Sequence, residues 1–267
     1  MEDDLDEALT LLADLTGATD ERLRALARTL AGRVLVDVAR TGPTTLRGIG
    51  RLAWRPASSV DGEVDLDASL EAIVSARSAR RPIGIDDLTV RTWDRPDTAL
   101  CLLVDRSGSM LGDRLAAAAV GAAAVLYRHG TDCSLVAFSG TAIVVKSQNE
   151  ARTADEVVGD LLALRGHGVT DVGLALRTAR AQLDRSTAGR KVTILLSDAR
   201  STSGGDPIED AAALAALGDF AIIAPAGDSV DAEALANAVG GRWVELSGPS
   251  GIPEALATVM SGTISGH

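Results

Sequence analysis

Asp105, Ser107 and Ser109 stand at alternate positions in the stretch ALCLLVDRSGSM, Ala99 to Met110. One carboxylate and two hydroxyls leaving a single short loop are hard oxygen donors. A small octahedral dication such as Mg2+, which dehydrates reluctantly and keeps several waters, takes such donors. Two later loops offer the same chemistry. Gly166 to Asp171 carries the hydroxyl of Thr170 beside the Asp171 carboxylate, and Ser197 to Arg200 carries a hydroxyl and the carboxylate of Asp198. Softer metals want imidazole or thiolate, and His167 is the one such group in these loops.

Each of these residues has a plainer role open to it. Asp105 and Ser107 could cap the helix that follows, Thr170 or Asp171 could cap another, and Asp198 could be a turn residue. Asp171 fits a cap best. His129 and His267 carry no signal, and Met110 suits a core. Catalysis is poorly supported. An aspartyl phosphotransferase would place a second Asp two residues after the first, where Ser107 stands. Neither a Gly-x-Ser-x-Gly elbow nor a Gly-x-x-x-x-Gly-Lys-[Ser/Thr] phosphate loop is present. A hydrated Mg2+ could activate water, but no general base accompanies it, so a Mg-dependent phosphohydrolase ranks low. The expectation is that the chain is not an enzyme.

The elements that must position these donors are strands alternating with helices. Leu100 to Val104 is an apolar run that ends at Asp105, as in a parallel strand buried on both faces. Lys191 to Leu196 is a second such run, ending at Ser197-Asp198. Open α/β sheets place ligands outside the carboxyl ends of their strands. Helices are expected over about Leu115 to Arg128, Thr153 to Leu164 and Val172 to Leu183. Cys133 to Phe138 and Ala142 to Val145, joined through Gly140, predict an antiparallel hairpin at one edge. Ile208 to Leu217, Phe220 to Ala224, Ala232 to Val239, Trp243 to Leu246 and Ile252 to Met260 complete a helix–strand–helix–strand–helix series. The fold class is therefore α/β, a mostly parallel central sheet with one antiparallel edge strand and helices on both faces.

Upstream, Asp3 to Leu15 and Thr19 to Arg40 carry amphipathic helical spacing, which predicts an N-terminal helical hairpin over residues 1–40. Residues 41–87 read as a linker or wrapping segment with a short helix from Asp67 to Arg77. Gly48-Ile49-Gly50 resembles a dinucleotide fingerprint only superficially, since no strand precedes it. A domain over 88–267 follows, with Leu88 to Trp93 as a half-exposed edge strand.

Composition narrows the function. The 267 residues include 26 basic and 37 acidic ones, a net charge of −11, which argues against a nucleic-acid backbone as partner. Aromatics are 2% against 46% hydrophobic residues, so the core rests on Ala, Leu and Val and offers few stacking platforms. No run approaches a membrane span, and the acidic start is not a signal peptide. Cys101 and Cys133 lie in strand-like runs and suit buried thiols in a reducing compartment, unless neighbouring strands let them pair. A cytoplasmic location is expected.

Asp-x-Ser-x-Ser after a buried strand, a Thr in a Gly-rich loop before a helix, and an Asp ending a later apolar strand occur here in that order as Asp105, Ser107, Ser109, Thr170 and Asp198. In this the chain resembles von Willebrand factor A (VWA) domains with a metal-ion-dependent adhesion site, from about Ala99 to the C-terminus. The resemblance implies a Rossmann-like fold. It also implies that these residues hold Mg2+ (or Mn2+) directly or through water, and that a Glu or Asp carboxylate from a partner protein completes the shell. Two departures stand out: Ala199 where a Gly commonly follows the last Asp, and His167 among the loop glycines. The N-terminal helices with the GEVDLDASLEAI segment are similar to bacterial intracellular VWA proteins that work beside MoxR-type AAA+ ATPases, including CoxE-like proteins. The D subunit of magnesium chelatase is an alternative, although the AAA+ region and acidic-proline linker of that subunit are missing here.

Overall fold

The structure is a computed structural model, which describes residues 2–15, 51–57, 63–94, 98–106, 113–129, 132–164 and 168–261. The chain forms two compact units, Arg47–Asp97 and a larger one that joins Thr98 onward to the N-terminal segment.

In the larger unit, β4 (Thr98–Asp105), β5 (Cys133–Phe138), β6 (Ala142–Lys146), β7 (Arg190–Leu196), β8 (Asp219–Pro225) and β9 (Arg242–Leu246) form one sheet in the order β6-β5-β4-β7-β8-β9. All neighbours are parallel except β5 and β6, the expected antiparallel pair. Residues 99–105 of β4 are all buried. The central strand is covered on both faces, which is why it reads as an unbroken apolar run rather than an alternating one.

Alternation decides which helices each face meets. Leu100, Leu102 and Val104 share a core with α1 (Glu2–Leu15), α3 (Asp113–His129), α4 (Ala154–Ala163) and α8 (Ile252–Ser261). Ala99, Cys101 and Leu103 pack with α5 (Val172–Leu183), α6 (Ile208–Leu217) and α7 (Val230–Ala238). Small residues carry the closest contacts, and Ala116, Ala118, Ala119, Ala123 and Ala124 of α3 have no exposed surface. Cys133 belongs to the first core and Cys101 to the second. Their strands are neighbours, yet Leu100, not Cys101, lies opposite Cys133, so the thiols face away from each other and form no disulfide.

The N-terminal helix is part of this core. Leu9 is fully buried among the residues of α3, and Asp6 Oδ1 accepts a hydrogen bond from Ser250 N at 2.8 Å. The second helix expected over Thr19 to Arg40 lies outside the described residues.

The smaller unit corrects two expectations. Leu88 to Trp93 is not an edge of the large sheet, because β3 (Thr89–Asp94) is the middle strand of a separate antiparallel sheet, between β1 (Arg51–Pro56) and β2 (Glu63–Asp65). Thr89 to Arg91 are thus paired on both sides, and the boundary expected at residue 88 falls at Thr98. The segment read as linker supplies β1 and β2. Helix α2 (Leu66–Ser78) starts one residue before the expected Asp67, on the N-cap Asp65, whose carboxylate accepts from Ala68 N at 3.0 Å and from Trp54 Nε1 at 2.8 Å. Among the described residues no helix is long and apolar enough to cross a membrane.

Candidate metal centre

The register of the large sheet brings the donors to one rim. Val104 pairs with Leu196, so Asp105 and the Ser197-Asp198 pair leave the carboxyl ends of adjacent parallel strands side by side. On the other flank Asp105 lies opposite Phe138, and Arg106 N continues that ladder by donating to Phe138 O at 2.7 Å. The chain therefore turns out of β4 with Asp105 fixed in place. It is 3% exposed, and its Oδ2 accepts a hydrogen bond from Ser197 Oγ at 2.7 Å.

Thr170 is latched across the same point. Asp171 N donates to Ser139 O, just past β5, at 3.0 Å. Thr170 N donates to Thr202 Oγ1 at 2.8 Å, and Thr170 O accepts from Thr202 N at 2.9 Å and Ser203 N at 3.0 Å, in the loop after β7. The segment thus spans from the end of β5 to the loop after β7, and β4 ends between them. Thr170 is 4% exposed, and its hydroxyl makes no hydrogen bond among the described residues.

The plainer roles can now be judged. Helix α3 begins at Asp113, too far along the chain for Asp105 to cap it. Asp171 caps α5, accepting from Leu174 N at 2.8 Å, which releases Thr170 from that task. Asp198 does form a turn, its Oδ1 accepting from Arg200 N at 2.9 Å, but Oδ2 points elsewhere, 3.6 Å from Arg114 Nη1. Ala199 adopts φ +60°, the left-handed conformation natural to glycine. Its buried methyl and the bond from its N to Ser197 Oγ at 3.0 Å hold it there, so replacing Gly by Ala leaves the turn in a glycine-like shape. Ser107 and Ser109 lie outside the described residues, as does His167.

Some residues at this rim were not anticipated as part of the site. Ser197 was noted only as a hydroxyl, whereas it orients the Asp105 carboxylate. Arg114, in the first turn of α3, and Arg200 form a network with Asp228 and Asp231. Arg114 Nη2 donates to Asp228 Oδ2 at 3.1 Å, Arg200 Nη2 to Asp228 Oδ1 at 2.9 Å, and Arg200 Nε to Asp231 Oδ2 at 3.2 Å. The hydrogen bond to Asp231, then the charges of Asp228 and Asp198, raise the pKa of Arg200. Nothing in the sequence links residue 114 to residue 228, since only the parallel order of β4, β7 and β8 brings their flanking loops together.

The donor set suits a hard ion. Asp105, Asp198 and Thr170 supply carboxylate and hydroxyl oxygens, the donors a hard ion takes; among the described residues no group of three or more His, Cys, Asp or Glu is gathered as a metal site. A family profile, von Willebrand factor type A domain, matches residues 99–241, more than half of the chain. The chain belongs to the VWA family.

Solved structures with this fold include the VWA protein of Catenulispora acidiphila, at 19% identity and TM-score 0.50, covering 65% of this chain and 44% of that one. Proximal thread matrix protein 1 from the mussel byssus matches at 18% identity and TM-score 0.49, covering 62% of this chain and 48% of that one. The manganese-loaded TRAP protein of Plasmodium vivax matches at 17% and 0.45, covering 57% and 68%. The chain thus spans less than half the length of the first two. Comparison with curated protein sequences gives no match. The VWA fold, a Rossmann-like α/β sheet with one antiparallel pair, is the architecture described above.

Proposed function

We propose that this VWA domain is a divalent-metal-dependent protein-interaction module. Asp105, Ser107, Ser109, Thr170 and Asp198 would hold Mg2+ or Mn2+. The observation that carries the reading is that Asp105 and Asp198 leave the carboxyl ends of adjacent parallel strands while backbone hydrogen bonds to Ser139, Thr202 and Ser203 hold Thr170 at the same rim. When bound, the ion would supply a Lewis-acidic docking point for an Asp or Glu carboxylate of a partner protein. Ser197 keeps one oxygen of Asp105 oriented, the Thr202 and Ser203 contacts fix the Thr170 backbone, and the turn at Ala199 presents Asp198. Hydroxyl donors are neutral, so an ion held largely by them retains the positive charge that attracts an outside carboxylate.

The wider system proposed is a MoxR-type AAA+ ATPase in the cytoplasm. There the domain would serve as a non-catalytic adaptor in protein remodelling or metal-centre assembly, any ATP hydrolysis belonging to the partner. This extension rests on the resemblance of the N-terminal architecture rather than on the rim. Calorimetry with Mg2+ and Mn2+ tests the first step: binding to the wild type that is lost in Asp105→Ala, with circular dichroism unchanged. No binding by the wild type would refute it. An AAA+ ATPase encoded beside this chain, purified and mixed with it, should be retained by the wild type in Mg2+ and released by EDTA.

A further inference from the structure

We infer that Arg114 is a built-in counter-cation for Asp198, which a divalent ion must displace, and that Asp228 is the seat that receives it. The inference rests on the metal-centre reading and adds a residue that sets how readily the centre fills. Three observations lead to it.

First, the two oxygens of Asp198 have separate fates. Oδ1 is committed to Arg200 N at 2.9 Å, whereas Oδ2, the one left for an ion, faces Arg114 Nη1 at 3.6 Å. That separation is an ion pair without a hydrogen bond, so it holds charge near charge while leaving the oxygen's lone pairs uncommitted. Second, the same guanidinium has a closer partner. Its Nη2 donates to Asp228 Oδ2 at 3.1 Å, and Asp228 is itself fixed through Oδ1 by Arg200. Arg114 can therefore give up Asp198 and keep a charge-assisted bond. Third, Arg114 sits in the first turn of α3, where the helix dipole disfavours a cation. Its placement is explained by the aspartates it meets and not by the helix it belongs to.

Two cations and one carboxylate oxygen make a competition. The Asp198 and Arg114 side chains are 14% and 28% exposed, so the pair is only partly screened by solvent. Removing the competing charge should tighten metal binding on the order of fivefold. Removing Asp228 should weaken it, because Arg114 loses the closer of these two aspartate contacts and its charge is drawn toward Asp198.

The test is a double-mutant cycle read by Mn2+ affinity, from the paramagnetic resonance signal of free Mn2+. It uses the full chain as wild type, Arg114→Gln, Asp228→Asn and the double variant, with thermal melting to establish folding. Arg114→Gln should bind Mn2+ about fivefold tighter. Asp228→Asn should weaken binding in the wild-type background and have little effect once Arg114 is gone. Arg114→Lys retains a charge without the forked geometry and should bind no tighter than the wild type. It keeps the test decisive if the glutamine variant does not fold. Additive effects would overturn the proposal in favour of simple through-space charge, and an unchanged affinity for Arg114→Gln would overturn it outright. If the wild type instead shows no Mn2+ binding that Asp105→Ala removes, the metal-centre reading itself has failed.

Discussion

The bond between Ser197 and Asp105 ties the fold to its site, and breaking it makes a quantitative test. Ser197 Oγ donates to Asp105 Oδ2 at 2.7 Å with both residues buried, at 6% and 3% exposure. A hydrogen bond to a charged acceptor contributes about 1.5–3 kcal/mol, more than a neutral one. Ser197→Ala also strands the N–H of Ala199, which donates to the same hydroxyl at 3.0 Å, and that adds roughly 1–3 kcal/mol. The single variant mixes both losses, so the pair is isolated by a cycle with Asp105→Ala. The expected coupling is about 1.5–3 kcal/mol, measured by urea unfolding in EDTA. Because a bound ion stabilises only the folded state, Mg2+ at a hundredfold its dissociation constant should add about 2.7 kcal/mol to the wild type. It should add nothing to Asp105→Ala. A coupling below about 0.5 kcal/mol would refute the view that Ser197 holds the carboxylate in place.

Other consequences can be checked independently. Leu9→Ala should destabilise the larger unit by about 2–5 kcal/mol in chemical denaturation, since Leu9 is fully buried against α3; a loss under about 0.5 kcal/mol would mean that α1 is a loose appendage. In the smaller unit, the hydrogen bonds from Arg81, then the one from Gly84 N, lower the Asp87 pKa from 3.8 to about 2. The depressed value means that the carboxylate stabilises this unit fully above pH 4, and that the contribution is lost as pH falls toward 2. Arg81→Gln should move the acid transition to higher pH, followed by circular dichroism. Cys101 and Cys133 should resist both pairing and alkylation in the native state. Burial pushes the Cys101 thiol up to about 12 and raises Cys133 as well, so mass spectrometry after mild oxidation should find two thiols until the protein is unfolded.

What the sequence discloses follows physical lines. Strands buried on both faces appear as apolar runs, and Leu100 to Val104 and Lys191 to Leu196 stop where their donors begin, so the rim was legible from the places where hydrophobicity ends. The cap at Asp171 was legible too, since it holds the helix that it precedes through a local bond. Strand β1 was not, because six residues ending in Pro, flanked by Gly, Pro and Ser, show an alternation too short to register. Strand β3 was recognised as a strand but assigned to the wrong sheet, since alternation reports one buried face and is silent about which strands lie alongside.

The same distinction separates the donors from the groups that tune them. Asp105, Thr170 and Asp198 each sit at the end of a regular element, so local pattern locates them, and the parallel topology brings them together without further information. Arg114 and Asp228 sit 114 positions apart, and no periodicity relates them. Their meeting depends on the placement of β7 and β8 beside β4, which carries the loop after β8 to the first turn of α3. A charge at the start of a helix pattern reads as solvated surface until that order is known. With it, Arg114 is seen to lie 3.6 Å from the oxygen of Asp198 that a metal would take, and the affinity of the proposed centre would depend on the order of the sheet as well as on its ligands.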